Sequence, residues 1–227
     1  IIRTHSVKRL IEIMKELKKI HGFKSFQFRD PVFGLNKNFL EKFCLEMIKA
    51  DLGIEWGMET RIDLLNKSLL TLLSKSGLKS INIGIETPDE KIASTNKRKL
   101  CSPDKQKDLI DFAFQQGIRI NAFYIIGLED DNMQSCLNTI KYSLSLKTYM
   151  ARFAVCTPYP GTEYFNDLNK NNRIENKNLS SFNQQELVYK HKNLSNKEIK
   201  YLIQKAYLKY YFRPKIIYKI IKQRLSK

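Results

Sequence analysis

The sequence predicts an α/β fold in which strands and helices alternate along a parallel sheet. Five times, an apolar strand pattern ends in a polar or glycine-bearing turn and is followed by a helical pattern. Intervals of 25 to 41 residues separate the strand ends, as strand–helix units of a parallel sheet require. These ends fall near Asp30, Arg61, Glu86, Gly127 and Thr157. The series opens on a helix, with no predicted strand before it.

The first part of the chain justifies three helices and two strands. Apolar residues at helical spacing predict helices over residues 6–20, 38–50 and 66–76. Apolar and polar residues alternate over 25–30 and 54–59, which predicts strands. Gly22 and Gly77 follow the first and third helices as end signals, and Pro31 stops the first strand.

Residues 80–86 show the cleanest alternation in the sequence and predict the third strand. One face carries three isoleucines, and the other carries Asn82, Gly84 and Glu86. In a barrel whose outer face is covered by helices, the isoleucines would point outward. The small and polar residues would then line the lumen, where a ligand would lie.

The rest of the chain repeats the strand–helix pattern and then leaves it. Helices are predicted over 103–116 and 132–146, and strands over 118–126 and 151–156. Residues 166–193, rich in Asn, Ser and Lys, predict an irregular connector, and helices are expected over 195–213 and 215–225. We therefore predict a partial barrel over 1–165, a connector over 166–194 and basic C-terminal helices over 195–227.

Composition indicates a globular protein of a reducing compartment. A hydrophobic content of 42% and an aromatic content of 11% exclude a disordered chain. The four cysteines, which lack CxxC spacing, favour reduced thiols in a cytoplasmic protein and predict no metal site by local spacing: Cys44, Cys101, Cys136 and Cys156. The sequence begins at Ile1, with neither an initiator methionine nor a signal-peptide pattern, so we expect a fragment of a longer protein.

Positive charge is concentrated at the C-terminus. From Lys190 to Lys227, twelve Lys or Arg residues stand against one acid and supply +11 of the formal +17. In the helix predicted over 215–225, basic residues surround a stripe of isoleucines. This helix can dock on its own domain, or residues 215–227 can lie on an anionic membrane surface. A nucleic-acid partner is disfavoured, because the nearby aromatic residues suit helix packing better than base stacking.

Polar and glycine residues gather at the predicted strand ends, which usually form the active edge of a parallel sheet. Carboxylates bind an ammonium group or ribose hydroxyls, and arginine binds a carboxylate in bidentate fashion. Glycine lets a flat ring approach the backbone. An adenosine with an amino-acid tail would suit the set formed by Asp30, Glu59, Arg61, Gly84, Glu86, Gly127, Glu129 and Tyr159.

Several of these residues also have an ordinary explanation. Asp30 precedes a proline and can simply form a turn. Arg61 can pair with Asp63 on the surface, and Glu86 can belong to a helix entrance. Gly127 suits any strand-to-helix turn. Their common position at strand ends favours a shared site over coincidence, but it does not identify a reaction.

Four segments resemble, in order, the second to sixth strands of radical S-adenosylmethionine enzymes: "FQFRDPVFGLN", "IEWGMETRIDLLNKSLLTLLSKSGLKSINIGIETPDE", "GIRINAFYIIGLED" and "FAVCTPYPGTEYF". The resemblance is to the branch with an N-terminal cobalamin-binding domain, whose C-terminal segment is similar to "LSNKEIKYLIQKAYLKYYFRPKIIYKII". It implies a partial (β/α)6 TIM-like barrel with strands 2–6 present and a C-terminal helical extension.

The resemblance also implies cofactors. The family places Cx3Cx2C after its first strand, so we expect the ligands of a 4Fe-4S cluster upstream of Ile1. The reduced cluster would cleave S-adenosylmethionine to methionine and a 5′-deoxyadenosyl radical, or cobalamin in the intact protein would relay a methyl group. The implied partners are an electron donor such as flavodoxin or ferredoxin and a small-molecule or lipid-precursor substrate.

Site residues carry over by position. Asp30 would approach the amino group of the cofactor, Arg61 its carboxylate, and Glu86 the ribose. The backbone of Ile126 and Gly127 would support the adenine, although the family often continues with proline, glycine and glutamate where this chain reads "LEDDN". The substrate-side candidates are Glu59 and Tyr159.

Two functions remain open from the sequence. One is the catalytic-barrel portion of a radical S-adenosylmethionine enzyme, inactive without its cluster. The other is a non-catalytic scaffold that keeps a partial barrel and uses its basic tail. The upstream coding sequence discriminates them, since Cx3Cx2C before Ile1 would support the enzyme and a true start codon there would support the scaffold.

Overall fold

The structure is a computed structural model and describes residues 5–95, 101–176, 178–214 and 216–217. The five strands are β1 (Ser25–Gln27), β2 (Glu55–Thr60), β3 (Leu78–Glu86), β4 (Arg119–Ile126) and β5 (Met150–Val155). The helices are α1 (Val7–His21), α2 (Lys37–Ala50), α3 (Lys67–Lys75), α4 (Glu90–Thr95), α5 (Pro103–Gln115), α6 (Met133–Ser145), α7 (Glu163–Lys170) and α8 (Asn196–Tyr211).

The five strands are parallel and form one sheet in sequence order, β1-β2-β3-β4-β5. Phe26 of β1 lies opposite Trp56 of β2, and Glu59 of β2 lies opposite Asn82 of β3. Burial along β3 alternates as the sequence predicts: the three isoleucines are buried, whereas Asn82 and Glu86 are half-buried. The predicted α/β class with a partial barrel is therefore confirmed.

The chain divides into two compact units. The first comprises Ile1–Gly84, Cys101–Ala122 and Lys147–Met150, and the second comprises Ile85–Leu100, Phe123–Leu146 and Ala151–Lys227. Their boundaries do not follow the predicted division at residues 165 and 194, which remains a prediction.

Aromatic rings fill the core of the first unit. Phe33 stacks on Phe28 with ring centroids 4.3 Å apart, and Phe43 meets Trp56 edge to face at 5.2 Å. The indole Nε1 of Trp56 donates a hydrogen bond of 3.0 Å to the carbonyl of Ser76. Trp56 therefore joins the aromatic cluster to the end of α3 and satisfies its own buried polar atom.

Tyrosines organise the core of the second unit. Tyr124 stacks on Phe153 at 5.1 Å, and the Tyr207 hydroxyl lies within hydrogen-bond distance of both the N–H and the carbonyl of Phe153. Tyr211 donates to the Ala151 carbonyl at 2.8 Å. These hydroxyls fix α8 against the backbone of β5, and a capping box at Ser195 defines where α8 begins.

Two differences from the sequence prediction have a clear physical cause. Strand β1 ends at Gln27 instead of residue 30, because the chain turns at Pro31 soon after the Phe28 N–H bonds to the Gly57 carbonyl at 2.9 Å. Helix α7 occupies the start of the predicted irregular connector. Thr162 caps it by accepting from the Phe165 N–H at 3.2 Å, a signal that the sequence analysis missed.

The predicted basic helix over residues 215–225 lies outside the described residues except for Ile216 and Ile217. Among the helices in the described ranges, none combines the length and hydropathy that a membrane span needs.

Candidate functional site

The predicted site residues are divided between the two units. The first unit holds Asp30, Glu59 and Arg61. The second unit holds Glu86, Ile126, Gly127 and Tyr159.

Asp30 is exposed and is one of the residues that line an apolar cavity of about 700 Å³ in the first unit. The stacked rings of Phe28 and Phe33 form part of its wall, together with Leu10 and Phe39. The chain turns directly after Asp30, so the ordinary Asp-Pro explanation holds here. An exposed carboxylate beside an apolar cavity can in addition bind an ammonium group.

Glu59 belongs to a row of polar side chains across β2, β3 and β4. Its Oε1 accepts from Arg29 Nη1 at 2.6 Å and, more weakly, from Asn82 Nδ2 at 3.5 Å. Asn121 Nδ2 donates to Asn82 Oδ1 at 2.8 Å. The sequence analysis named Glu59 but missed Arg29 and Asn121. Asn121 could have been found from the sequence, because it is a polar residue within the largely apolar pattern of β4.

Arg61 forms the pair with Asp63 that the sequence offered as its ordinary explanation. Arg61 Nε and Nη2 donate to the two carboxylate oxygens at 2.9 and 2.6 Å. The hydrogen bonds and the negative charge of Asp63 raise the pKa of Arg61. A ligand carboxylate would therefore have to share or displace Asp63.

Glu86 ends β3 in a conformation that is unusual for a residue with a side chain. Its φ is +64°, in the left-handed region, where a non-glycine residue costs about 1 to 3 kcal/mol. The following residues open α4: the Thr87 hydroxyl accepts from the Asp89 N–H at 3.2 Å, and the Asp89 carboxylate accepts from Ile92 at 3.1 Å. Strain of this kind concentrates at functional sites, which makes Glu86 a stronger candidate than its sequence position alone.

Gly127 begins a tight turn between β4 and α6, and we call residues 127–131 the Gly127 turn. Its φ of +82° favours glycine. One oxygen of the Asp131 carboxylate accepts from the Gly127 and Leu128 N–H groups at 3.0 and 2.9 Å, and the other accepts from the Ser135 hydroxyl at 2.5 Å. Burial raises the pKa of Asp131 despite these donors. The sequence analysis missed Asp131, although acids at a strand-to-helix turn are a recognisable signal.

Glu129 binds side chains from other parts of the second unit. It accepts from Arg173 at 2.6 Å, from Tyr164 at 2.8 Å and from Lys192 at 3.0 Å. Burial alone would raise the pKa of Glu129, but these hydrogen bonds outweigh burial and lower it. Glu129 therefore lies in the turn as predicted, with its carboxylate engaged by the protein.

Tyr159, the remaining substrate-side candidate, is 41% exposed. Its carbonyl accepts from the Thr162 hydroxyl at 2.7 Å, so its backbone fixes the start of α7. The ring is left at the surface of the second unit, where it can contact a ligand.

The cysteines do not form a metal site among the described residues. All four are free, and no group of three His, Cys, Asp or Glu side chains in the described part of the chain could hold a metal ion. Burial raises the pKa of Cys44 to about 11 and those of Cys136 and Cys156 to about 12. Because no three such side chains of the described residues converge on one point, these residues do not fit an iron–sulfur cluster.

Comparison with known proteins identifies related sequences. The family model for the Radical SAM superfamily matches residues 1–142. An uncharacterised methyltransferase of Pyrococcus horikoshii is 29% identical over 219 residues, which are 96% of this chain and 48% of that protein. The anaerobic magnesium-protoporphyrin IX monomethyl ester cyclase of Rubrivivax gelatinosus is 30% identical over 169 residues, which are 73% of this chain and 30% of that protein. The chain thus spans less than half the length of either relative.

Solved structures support the fold. The radical S-adenosylmethionine methyltransferase TsrM from Kitasatospora setae, with cobalamin and a [4Fe-4S] cluster bound, matches with a TM-score of 0.68 and 12% identity. The match covers 74% of this chain and 32% of that one. Identity this low makes the likeness one of fold alone.

Proposed function

Because this chain belongs to the radical SAM superfamily, we propose that it is the S-adenosylmethionine-binding portion of an enzyme that modifies or methylates a small molecule or a lipid precursor. The observation that carries the proposal is the family match over residues 1–142, which includes all the cofactor candidates. The two named relatives are an uncharacterised methyltransferase and a cyclase, which supports radical-based modification or methylation as the reaction class.

The chemistry of the candidate residues fits S-adenosylmethionine. The Asp30 carboxylate would hold its ammonium group, Arg61 its carboxylate, and Glu86 the ribose hydroxyls. The backbone at Ile126 and Gly127 would support the adenine. When bound in enzymes of this superfamily, S-adenosylmethionine supplies an adenosyl radical or a methyl group.

The described residues prepare for this ligand in two ways. The Asp63 carboxylate orients the guanidinium of Arg61, and a ligand carboxylate would compete for the same donors. The left-handed backbone at Glu86 sets the direction in which its carboxylate leaves β3. We place Glu59 and Tyr159 on the substrate side.

The described residues do not supply ligands for the 4Fe-4S cluster. Cluster ligands upstream of Ile1, cobalamin in the intact protein, a flavodoxin- or ferredoxin-type electron donor and membrane contact through residues 215–227 remain predictions. Iron and sulfide analysis of the product of the complete gene, after anaerobic reconstitution, tests the cluster. A product that binds neither iron nor S-adenosylmethionine would contradict the enzyme proposal.

Ligand binding by the chain itself tests the cofactor site. Equilibrium dialysis with radiolabelled S-adenosylmethionine should show binding that Glu86→Gln weakens about tenfold, because a neutral amide oxygen is a weaker acceptor than a carboxylate. Glu90→Gln is the matched control, since Glu90 is exposed on the first turn of α4. Equal affinities of the two variants would refute the role of Glu86. No binding by the wild-type chain would favour the non-catalytic scaffold.

A further inference from the structure

After α7 the chain returns to the Gly127 turn. We call residues 171–194 the return segment, of which all but residue 177 are described. The sequence predicts only an irregular connector here, yet three of its side chains are deeply involved in hydrogen bonding. Tyr189 and His191 are 0% and 6% exposed, respectively. Such complete burial of polar side chains is unusual for a loop, because connecting segments normally lie on the protein surface.

Three alternate residues of the return segment donate to three carbonyls of the Gly127 turn. Tyr189 Oη donates to the Gly127 carbonyl at 3.0 Å. His191 Nε2 lies 2.8 Å from the Leu128 carbonyl, and Asn193 Nδ2 lies 3.0 Å from the Asp131 carbonyl. A spacing of two residues projects these side chains to one side of an extended segment.

The ring of His191 is fixed in one tautomer by its own backbone. Its Nδ1 accepts from the N–H groups of Asn193 and Leu194 at 3.1 and 3.2 Å. The ring hydrogen must therefore lie on Nε2, where it is donated to the Leu128 carbonyl. A neutral imidazole thus connects the end of the return segment to the turn.

Charged side chains provide a second attachment between the return segment and the Gly127 turn. Arg173 bonds to Glu129 of the turn through Nη1 and to the Lys190 carbonyl through Nε at 2.9 Å and Nη2 at 2.8 Å. Its guanidinium also lies 5.9 Å from the ring centroid of Tyr189. Arg173 therefore ties the start of the return segment both to its end and to the turn.

The backbone of the Gly127 turn is consequently bound from two sides. The Asp131 carboxylate takes the N–H groups of Gly127 and Leu128, while the return segment takes the carbonyls of the same two residues. A peptide segment with both kinds of polar group bound cannot rotate without breaking a buried hydrogen bond. The turn is therefore held in one conformation before any ligand arrives.

We propose that Tyr189, His191 and Asn193 are positioning residues that preorganise the Gly127 turn for the adenine of the bound cofactor. This inference rests on the proposed function, since it assigns the adenine to the Gly127 backbone. The residues act through the turn and need not touch the ligand. Preorganisation improves affinity because the ordering cost is met before binding.

Tyr189→Phe tests the proposal, with Tyr211→Phe as its matched control. Both variants remove one tyrosine hydroxyl bonded to a backbone carbonyl in the second unit, but Tyr211 bonds to Ala151 of β5. Tyr189→Phe should weaken binding of S-adenosylmethionine about fivefold, the usual effect of one hydrogen bond, and Tyr211→Phe should leave it unchanged. Equal affinities of the two variants would overturn the proposal, whatever their melting temperatures.

Two substitutions of His191 provide an independent test. His191→Gln keeps a donor for the Leu128 carbonyl, whereas His191→Leu removes it, so the glutamine variant should recover part of the affinity lost by the leucine variant. Equal losses would contradict a role through this hydrogen bond.

Amide hydrogen exchange reports on the turn without a ligand. In Tyr189→Phe, the N–H groups of Gly127 and Leu128 should exchange about fivefold faster than in Tyr211→Phe. If wild-type protein binds no S-adenosylmethionine, the proposed function fails while exchange still decides whether the return segment holds the turn. Unchanged exchange would refute that part as well.

Discussion

Gly127→Ala should destabilise the second unit through a specific contact with α8. A Cβ at residue 127 would lie 2.8 Å from Cδ1 of Ile199, closer than real side chains approach. Ile199 is fully buried, so its side chain has little room to move. The substitution therefore combines a steric clash with a backbone penalty, because φ at this position is +82°.

The two terms can be estimated separately. A left-handed backbone costs an alanine about 1 to 2 kcal/mol relative to glycine, and overpacking a core contact costs about 1 to 3 kcal/mol. The expected loss is therefore about 2 to 5 kcal/mol of unfolding free energy. A loss of this size is a large part of the total stability of a typical domain.

Urea unfolding followed by circular dichroism measures the loss, and two further variants separate its causes. Gly161→Ala is the control for the backbone term, since Gly161 has a φ of +89° with nothing within 4 Å of its Cβ position. Ile199→Val removes the clashing Cδ1 at a cost of about 0.5 to 1.5 kcal/mol. The free energy of unfolding of the double variant, Gly127→Ala with Ile199→Val, should then be about 1 to 3 kcal/mol higher than the sum of the two single losses predicts.

Two results would refute this reasoning. The first is a Gly127→Ala variant that loses no more stability than Gly161→Ala. The second is strict additivity of the changes at residues 127 and 199, which would show that Cδ1 of Ile199 does not oppose the new Cβ.

Three further predictions concern the cores and the ionisable groups. Glu129 has a lowered pKa, so its stabilising effect is present above its unfolded pKa of about 4.3 and is lost as the pH falls through the folded value. The melting-temperature deficit of Glu129→Gln should therefore be larger at neutral pH than in acid, and a constant deficit would contradict this. The raised pKa values of Cys44, Cys136 and Cys156 should slow their alkylation by iodoacetamide at about pH 8. We expect the native protein to react more than about a hundredfold more slowly than the unfolded chain, because far less thiolate is present. Comparable rates, measured by mass spectrometry, would contradict this prediction. Trp56→Phe should lower the free energy of unfolding in urea by about 2 to 4 kcal/mol, because it opens space in the aromatic cluster and leaves the Ser76 carbonyl without its indole donor. A loss below about 1 kcal/mol would contradict this estimate and show that the site repacks.

The sequence predicted the elements well because local signals define them. Asn36 and Asn66 cap α2 and α3, and alternation marks β3 within two residues of its true start. The parallel sheet followed from the spacing of strand–helix units. These features depend on neighbours along the chain, which a sequence displays directly.

The candidate site was less predictable because its support comes from distant residues. Nothing local connects Tyr189 or His191 to a turn more than sixty residues away, although the hydrogen bonds join positions 62 and 63 residues apart. The pair of Arg61 and Asp63 was visible as an alternative since only one residue separates them. Long-range polar contacts need the fold before they can be identified.

The position of β1 at the edge of the sheet has a consequence for handling the protein. One side of this strand pairs with β2, and within the described residues β1 is the last strand on its side. In the absence of the upstream strand expected from the sequence, its other row of backbone donors and acceptors is a template for strands of other molecules, which is a common start of aggregation. With only three residues, β1 offers a short template. Self-association that begins there should grow with protein concentration, and a lysine or proline at Phe26 should suppress it.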